Sequence, residues 1–171
     1  KYVANWYSDL SSSKAKSDFE IKEAVAEIFK DKGSNLNELQ KVKIIYDYIE
    51  KNMNYSNVSF LHSAQIPQRA SRTLNTKLGD CKDLATLFVA MCNEVNIKAS
   101  LMLVDTRDNG DHDMILPSTA FNHCIATVIC EGKEYIVELT DNKLSFSTIP
   151  DNERNSLVLR IPREVISNDS V

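Results

Sequence analysis

The sequence predicts an α+β domain in which helices pack against one antiparallel sheet. Apolar residues recur at helical spacing in several segments before residue 96. After that point the pattern changes to short runs of β-prone residues that are separated by polar turns. Glu131-Gly132 lies between two of these runs and is typical of a tight hairpin turn, which joins antiparallel strands.

Three amphipathic helices are predicted before residue 54. Their bounds are Tyr2–Leu10, Phe19–Lys30 and Leu36–Met53. Gly33 ends the second helix, and Asn35 with Glu38 resembles a capping box at the start of the third. The apolar residues of the third helix alternate in steps of three and four, which predicts one buried stripe.

The rest of the chain alternates between long polar segments and regular elements. Residues Tyr55–Thr76 and Thr106–Ala120 are predicted to be loops that flank a cleft. A helix begins at Cys81 and ends at Asn96, and its small or polar flank predicts a central position in the fold. The predicted strands are Ile97–Asp105, Phe121–Cys130, Lys133–Leu139 and Ser156–Ile161.

Charge, hydropathy and cysteine content indicate which partners and which cross-links to expect. The net charge of −4 disfavours nucleic acid, because phosphate binding needs a basic surface. No apolar run approaches the roughly 20 residues that span a bilayer, so no membrane span is expected in this segment. The four cysteines are too few for a disulfide scaffold in 171 residues, and four free thiols are predicted.

Cys81 and His123 are the candidate nucleophile and base. Cys81 follows Gly79-Asp80 and opens a helix, where unpaired N–H groups and the helix dipole favour a thiolate. His123 lies near the start of an apolar, β-prone run, and as imidazolium it would stabilise that thiolate. Asp80 and Asp83 oppose the anion. Taken singly, a cysteine is more often a core filler and a histidine a structural residue, so the prediction depends on the pair.

A third group must orient the histidine, and the hairpin register decides between two carboxylates. If Glu131-Gly132 is a two-residue loop, Glu138 shares the face of His123 one diagonal step away. A three-residue loop shifts the register by one and favours Asp141 instead. We favour Glu138. The alternative for either residue is a plain surface carboxylate.

Gln68 is the candidate second donor to an oxyanion, beside the backbone N–H of Cys81. Gln65 is a further candidate in the same loop. For each glutamine, an ordinary solvent-facing amide is the competing interpretation. Trp6 is interpreted as a packing residue.

No metal and no cofactor are predicted. An acidic loop contains Asp105, Asp108, Asn109, Asp111 and Asp113, but its spacing does not match a calcium-binding EF-hand. A zinc site would need Cys81, His112, His123 and Cys124, which include no close CxxC or HxxxH pair.

Three segments resemble the transglutaminase-like superfamily. They are Gly79–Asp83 (GDCKD), Phe121–His123 (FNH) and Tyr135–Thr140 (YIVELT). They are most similar to the transglutaminase-core domains of larger bacterial envelope proteins. By this resemblance Cys81 matches the family nucleophile and His123 the family histidine. Glu138 falls where the family has aspartate, and Leu139 replaces the family's proline.

The resemblance implies a papain-like α+β fold with a Cys-His-Asp/Glu triad across helix and sheet. It also implies acyl transfer on a peptide or protein amide through a thioester, and we favour hydrolysis over cross-linking. The alternative function is a non-catalytic peptide- or glycan-binding module on the same fold. The departure from aspartate at Glu138 favours that alternative, and the retained Cys-His pair opposes it.

One transglutaminase-like domain is expected over residues 1–171, with a helical extension at 1–33 and a core at 34–161. The chain opens with Lys1 rather than Met, which predicts a fragment of a longer parent whose other domains would be partners. The resemblance predicts a bacterial cell-envelope location, periplasmic or extracellular, although the segment contains no targeting signal.

Overall fold

The computed structural model describes residues 1–33, 35–57, 65–110 and 119–163. The α-helices are α1 (Tyr2–Ser12), α2 (Phe19–Phe29), α3 (Glu38–Asn52), α4 (Ala70–Thr76) and α5 (Cys81–Glu94). The strands are β1 (Asn54–Tyr55), β2 (Leu78–Gly79), β3 (Lys98–Asp105), β4 (His123–Cys130), β5 (Lys133–Val137) and β6 (Leu157–Arg160). A short 3₁₀ helix, Arg107–Asn109, follows β3.

A four-stranded antiparallel sheet has the strand order β5-β4-β3-β6. β1 and β2 form a separate short parallel pair. α5 packs on β3 and β4, and α2, α3 and α4 pack around α5. Helices therefore cover an antiparallel sheet, which confirms the predicted α+β class.

α5 lies at the centre of the core. Each of its residues from Cys81 to Cys92 is buried. Leu87 and Phe88 are fully buried, and so is Ala85 on the small flank of the helix. A helix that packs against other elements on all sides must be apolar or small all round, so the prediction of a central helix is confirmed.

The β4–β5 hairpin turns through two residues, Glu131 and Gly132. Glu131 and Gly132 have φ angles of 52° and 78°, which is the left-handed region that such a turn requires at both positions. Cys130 pairs with Lys133, and the ladder continues to Ala126 and Val137. This is the register that places Glu138 on the His123 face.

α3 begins two residues later than the sequence indicated. Asn37 Oδ1 accepts a hydrogen bond from the Gln40 backbone at 2.8 Å, and Gln40 Oε1 accepts one from the Asn37 backbone at 2.9 Å. The capping box is therefore Asn37 with Gln40, and the predicted pair Asn35 with Glu38 was wrong. Both pairs have the right spacing, but the Glu38 carboxylate instead accepts the backbone N–H of Glu131 at 2.6 Å.

The segment Tyr55–Thr76, predicted to be irregular, contains the short helix α4. Ala70, Thr73 and Leu74 lie on one face of that helix and are buried. The other positions are mostly polar, and seven residues are too few to show a clear apolar period. The prediction of a loop was wrong for this part of the segment.

All four cysteines are free and buried, as predicted. No helix within the described ranges combines the length and the apolar content that crossing a bilayer requires.

Candidate active site

Cys81 is the first residue of α5, and Asp80 caps that helix. Asp80 Oδ1 accepts the Asp83 backbone N–H at 3.3 Å, and Asp83 Oδ2 accepts the Asp80 backbone N–H at 3.2 Å. These reciprocal bonds form a capping box, which fixes the first turn of the helix. Cys81 is only 2% exposed, and its thiol lies at the positive end of a buried helix.

Lys82 changes the charge balance that the sequence suggested around Cys81. Its ammonium group forms a buried ion pair with the Asp80 carboxylate. Burial also raises the pKa of Asp83, although a hydrogen bond from the Gln68 backbone opposes this. The sequence suggested that both Asp80 and Asp83 oppose a thiolate. In the structure Asp80 is paired with Lys82 and Asp83 belongs to the capping box, so neither is a free negative charge.

Gly79 allows the strand before Cys81 to approach the first turn of α5. A Cβ atom at this position would lie 2.8 Å from Asp83 Cβ and 3.0 Å from Thr73 Cγ2. Its backbone is not in the left-handed region, so the need is for space and not for a special turn. Gly79 is the last residue of β2.

We expect Gly79→Ala to lower the free energy of unfolding by about 2 kcal/mol, because the contact atom is a Cβ that cannot swing away. Urea denaturation measures the change. Gly33→Asn is the matched control, since Gly33 has a φ of +78° but no atom within 4 Å of its Cβ position. Asn tolerates that backbone conformation and should cost much less. Equal losses in the two variants would contradict the close-contact explanation.

Asn122 fixes the backbone from which His123 projects. Its amide oxygen accepts the Thr106 backbone N–H at 2.9 Å, and its amide nitrogen donates to Thr106 Oγ1 at 2.7 Å. Its own backbone N–H donates to the Val104 carbonyl at 3.1 Å. The asparagine thereby ties the start of β4 to the end of β3.

His123 connects the other two residues of the predicted triad. The Cys81 side chain neighbours the imidazole and raises its pKa by hydrogen bonding. His123 Nε2 lies 2.7 Å from Glu138 Oε2. Because Nε2 faces a carboxylate, Nδ1 is the ring nitrogen left for the thiol. The structure therefore brings together Cys81 from the tip of α5, His123 from the start of β4, and Glu138 from the residue after β5.

Glu138 is a buried carboxylate whose hydrogen bonds favour the charged form. Its side chain is 1% exposed. Oε1 accepts the backbone N–H groups of Leu139 and Thr140 at 2.7 and 2.6 Å. Burial would raise its pKa, but the hydrogen bond and positive charge of His123 lower it to about 2. Glu138 is therefore ionised near neutral pH.

Glu153 is a second carboxyl group at the same ring nitrogen, and sequence reasoning missed it. Its Oε1 lies 3.3 Å from His123 Nε2, and its side chain is 4% exposed. It lies in the turn between Pro150 and Ser156, to which its backbone is hydrogen-bonded. Nothing in the local sequence distinguishes it from the other polar residues of that segment.

The three hydrogen-bond partners of His123 determine its charge. Burial alone would lower the pKa of the imidazole, but the bonds to Cys81, Glu138 and Glu153 raise it well above its ordinary value. The imidazolium form is therefore stabilised. An imidazolium beside a cysteine at a helix tip is the arrangement that activates a thiol nucleophile.

The side chains of Gln68 and Asp141 form hydrogen bonds with groups outside the Cys81–His123–Glu138 triad. Gln68 Nε2 donates to Asp83 Oδ2 at 3.1 Å and to the Leu78 carbonyl at 3.2 Å, so an oxyanion role would require one of these bonds to break. Asp141 Oδ1 accepts the Lys143 backbone N–H at 3.0 Å and stabilises a turn. Gln65 lies near Trp6 and Tyr7, at a small apolar hollow.

The acidic loop and the zinc candidates are only partly described, because Asp111, His112 and Asp113 lie outside the described residues. Within the described ranges, Asp105 Oδ1 and Asp108 Oδ1 accept hydrogen bonds from Asn109 and Asn152. The group of described residues close enough to hold a metal ion is instead His123, Glu138 and Glu153, whose ligand atoms all lie within 4.8 Å of one another.

A family model described as the transglutaminase-like superfamily matches residues 22–137. The chain belongs to this superfamily. The match extends from α2 to the end of β5 and so includes Cys81 and His123, whereas Glu138 and Glu153 follow it. A comparison with the curated proteins finds no match.

Two solved structures support the transglutaminase-like fold. A chain from Parabacteroides distasonis, described as "a putative protease", is 18% identical, with a TM-score of 0.61 over 84% of this chain. A chain from Cytophaga hutchinsonii, described as "a putative cysteine protease", is 19% identical, with a TM-score of 0.55 over 89% of this chain. Our chain spans only 31% and 46% of their lengths.

Proposed function

We propose that this domain catalyses acyl transfer on peptide or protein amides, with Cys81 as nucleophile, His123 as acid and base, and Glu138 as the group that orients His123. The observation that carries the proposal is the 2.7 Å contact between His123 Nε2 and the buried Glu138 carboxylate, on an imidazole whose pKa the neighbouring Cys81 side chain also raises. Three distant segments contribute to it, and a purely structural histidine needs no such alignment with a cysteine at a helix tip.

In the first half-reaction the Cys81 thiolate attacks the amide carbonyl carbon and forms a C–S bond. The negative charge that moves to the carbonyl oxygen would be stabilised by backbone N–H groups at the start of α5, beginning with that of Cys81. The His123 imidazolium then gives its proton to the amide nitrogen, the C–N bond breaks, and ammonia or an amine leaves. A thioester on Cys81 and a neutral imidazole remain.

In the second half-reaction water attacks the thioester while His123 takes one of its protons. The C–S bond breaks, a carboxylic acid is released, and the thiolate–imidazolium pair is restored. A second amine in place of water would give transfer instead of hydrolysis. We favour hydrolysis, and the description of both structural neighbours as proteases is consistent with it.

The proposal predicts that iodoacetamide modifies Cys81 at least tenfold faster than Cys92, Cys124 and Cys130 at pH 7. All four thiols are buried, so a difference must come from activation and not from exposure alone. Alkylation requires the thiolate, which His123 stabilises as imidazolium. Peptide mapping by mass spectrometry after timed labelling measures each rate separately.

His123→Asn provides the decisive comparison, because asparagine fills similar space without carrying the charge. Cys81 should lose its advantage in this variant, while the other three cysteines keep their rates. Labelling in denaturant controls for intrinsic reactivity. Uniform rates in the wild-type protein would contradict the catalytic proposal and favour a binding module on the same fold.

A further inference from the structure

Two carboxyl groups meet a single ring nitrogen at the proposed site. His123 Nε2 carries at most one hydrogen, and Glu138 Oε2 lies closer to it than Glu153 Oε1 does, at 2.7 against 3.3 Å. Glu138 and Glu153 are also neighbours, since ligand atoms of these two residues and of His123 all lie within 4.8 Å of one another. Two carboxylates cannot share a hydrogen bond unless one of them carries a proton.

The surroundings of the two groups show which one carries it. Glu138 accepts two backbone N–H groups besides the imidazole, which stabilises a negative charge. Glu153 Oε2 is buried and has no hydrogen-bond partner among the described residues. A buried charge without such partners is costly, whereas a neutral carboxyl needs fewer of them. The asymmetry assigns the charge to Glu138 and the proton to Glu153.

We propose that Glu153 is a positioning residue that is protonated in mildly acidic solution and donates its O–H to Glu138. His123 would then be oriented by a carboxyl–carboxylate pair and not by one carboxylate. This inference rests on the proposed function for its catalytic consequence, but the location of the proton can be tested without it. Burial raises the pKa of Glu153 to about 7 and the neighbouring Glu138 contributes to this, against the opposing effect of His123.

Other titratable groups surround the pair and must be controlled for. They are Cys81 on α5, Tyr46 and Glu50 on α3, Tyr55 on β1, and Asp108 on the 3₁₀ helix. Glu50 matters most, because burial and the nearby Glu138 raise its pKa to about 7 as well. It takes no part in the hydrogen bonds of the triad, so Glu50→Gln is the matched control.

Carbon-13 NMR of protein labelled at the glutamate carboxyl carbon tests where the proton resides. We expect one buried carboxyl resonance with a midpoint near pH 7 that disappears in Glu153→Gln and remains in Glu50→Gln. A midpoint below 5 for the resonance that Glu153→Gln removes would overturn the proposal. This measurement needs no substrate and no reactive thiol.

Cys81 alkylation at pH 6 tests the positioning role. Glu153→Gln, whose amide can donate to Glu138 as the neutral acid does, should keep the wild-type rate within about twofold. Glu153→Ala should be about tenfold slower, with circular dichroism melting used to confirm that it folds. A glutamine variant as slow as the alanine variant would overturn the donor role. If Cys81 shows no special reactivity in any variant, the proposed function fails while the NMR result still decides the protonation.

His123, Glu138 and Glu153 could instead hold a metal ion, and metal analysis tests this alternative. The proton-sharing proposal expects the purified protein to bind added zinc no more tightly than Glu153→Gln does. One equivalent of tightly held zinc in the wild-type protein, absent in that variant, would place a metal where we place a proton and would overturn the proposal.

Discussion

Glu138→Gln is expected to lower amide hydrolysis by about 10⁴-fold, a loss typical of a triad whose histidine adopts the wrong tautomer. Glu138 accepts three hydrogen bonds, from His123 Nε2 and from the backbone N–H groups of Leu139 and Thr140. Both of its oxygens are therefore acceptors. A glutamine offers one oxygen and one NH₂ group, so it cannot replace both.

Each orientation of the new amide breaks a different part of the site. If its oxygen faces His123, the NH₂ group opposes the two backbone donors of Leu139 and Thr140. If its NH₂ group faces His123, Nε2 must accept a hydrogen bond, so the neutral ring carries its proton on Nδ1. A ring protonated on Nδ1 cannot take the proton of the Cys81 thiol.

Two substrates separate the effects on the thiolate and on the leaving group. The amide bonds of casein peptides require a proton on the leaving nitrogen, so their hydrolysis should show the full loss. The leaving group of p-nitrophenyl acetate needs no proton. Its reaction should fall only as far as the thiolate population does, about 10–30-fold, since an ordinary thiol is a few per cent ionised at pH 7.

Glu138→Asp is the matched control, because it keeps the charge and shortens the reach by one methylene. It should retain far more amide hydrolysis than Glu138→Gln. A glutamine variant that keeps amide hydrolysis within tenfold of the wild-type protein would show that Glu138 does not set the tautomer of His123.

The candidate triad could be predicted because each member carries a local signal. Cys81 follows a glycine and a helix cap, and His123 begins a strand. Glu138 follows from counting across the hairpin once Glu131-Gly132 is taken as a two-residue turn. Helix ends, hairpin turns and strand alternation depend on neighbours in sequence, so the pattern contains the information.

Glu153 could not be predicted because contacts far apart in sequence place it. The Arg107 backbone N–H donates to the Asn152 carbonyl at 2.9 Å, and the Arg107 guanidinium donates to the Asp151 carbonyl at 2.5 Å. The first residue of each bond is at least 44 positions from the second in the sequence. Only the folded chain brings that turn to His123.

Lys82 illustrates a milder failure of the same kind. Charge counting treated Asp80 and Asp83 as unfavourable for a thiolate, although Lys82 lies between them in the sequence. Their effect depends on which of them the ammonium group pairs with and which caps the helix, and local sequence does not specify this. The structure pairs Lys82 with Asp80 and leaves Asp83 to complete the capping box.

Lowering the pH is expected to reduce the free energy of unfolding by about 3 kcal/mol, because Glu138 becomes protonated. Its pKa is about 2 in the folded protein against an ordinary value of 4.5, and each unit corresponds to about 1.4 kcal/mol. A carboxyl group with a lowered folded pKa stabilises the fold above its unfolded pKa. That stabilisation should therefore be complete above about pH 5 and should disappear progressively as the pH falls toward 2.

The two carboxyl groups at His123 should give opposite pH slopes, which tests the linkage more stringently than either slope alone. Glu153 has a raised folded pKa of about 7, so it destabilises the fold progressively as the pH rises from about 4.5 to 7. In urea denaturation, the stability lost in Glu138→Gln should shrink as the pH falls from 5 to 2.5. The stability of Glu153→Gln relative to the wild-type protein should instead rise between pH 5 and 8. If the stability differences of both variants from the wild-type protein changed with pH in the same direction, the charge would not reside on Glu138 and the proton on Glu153.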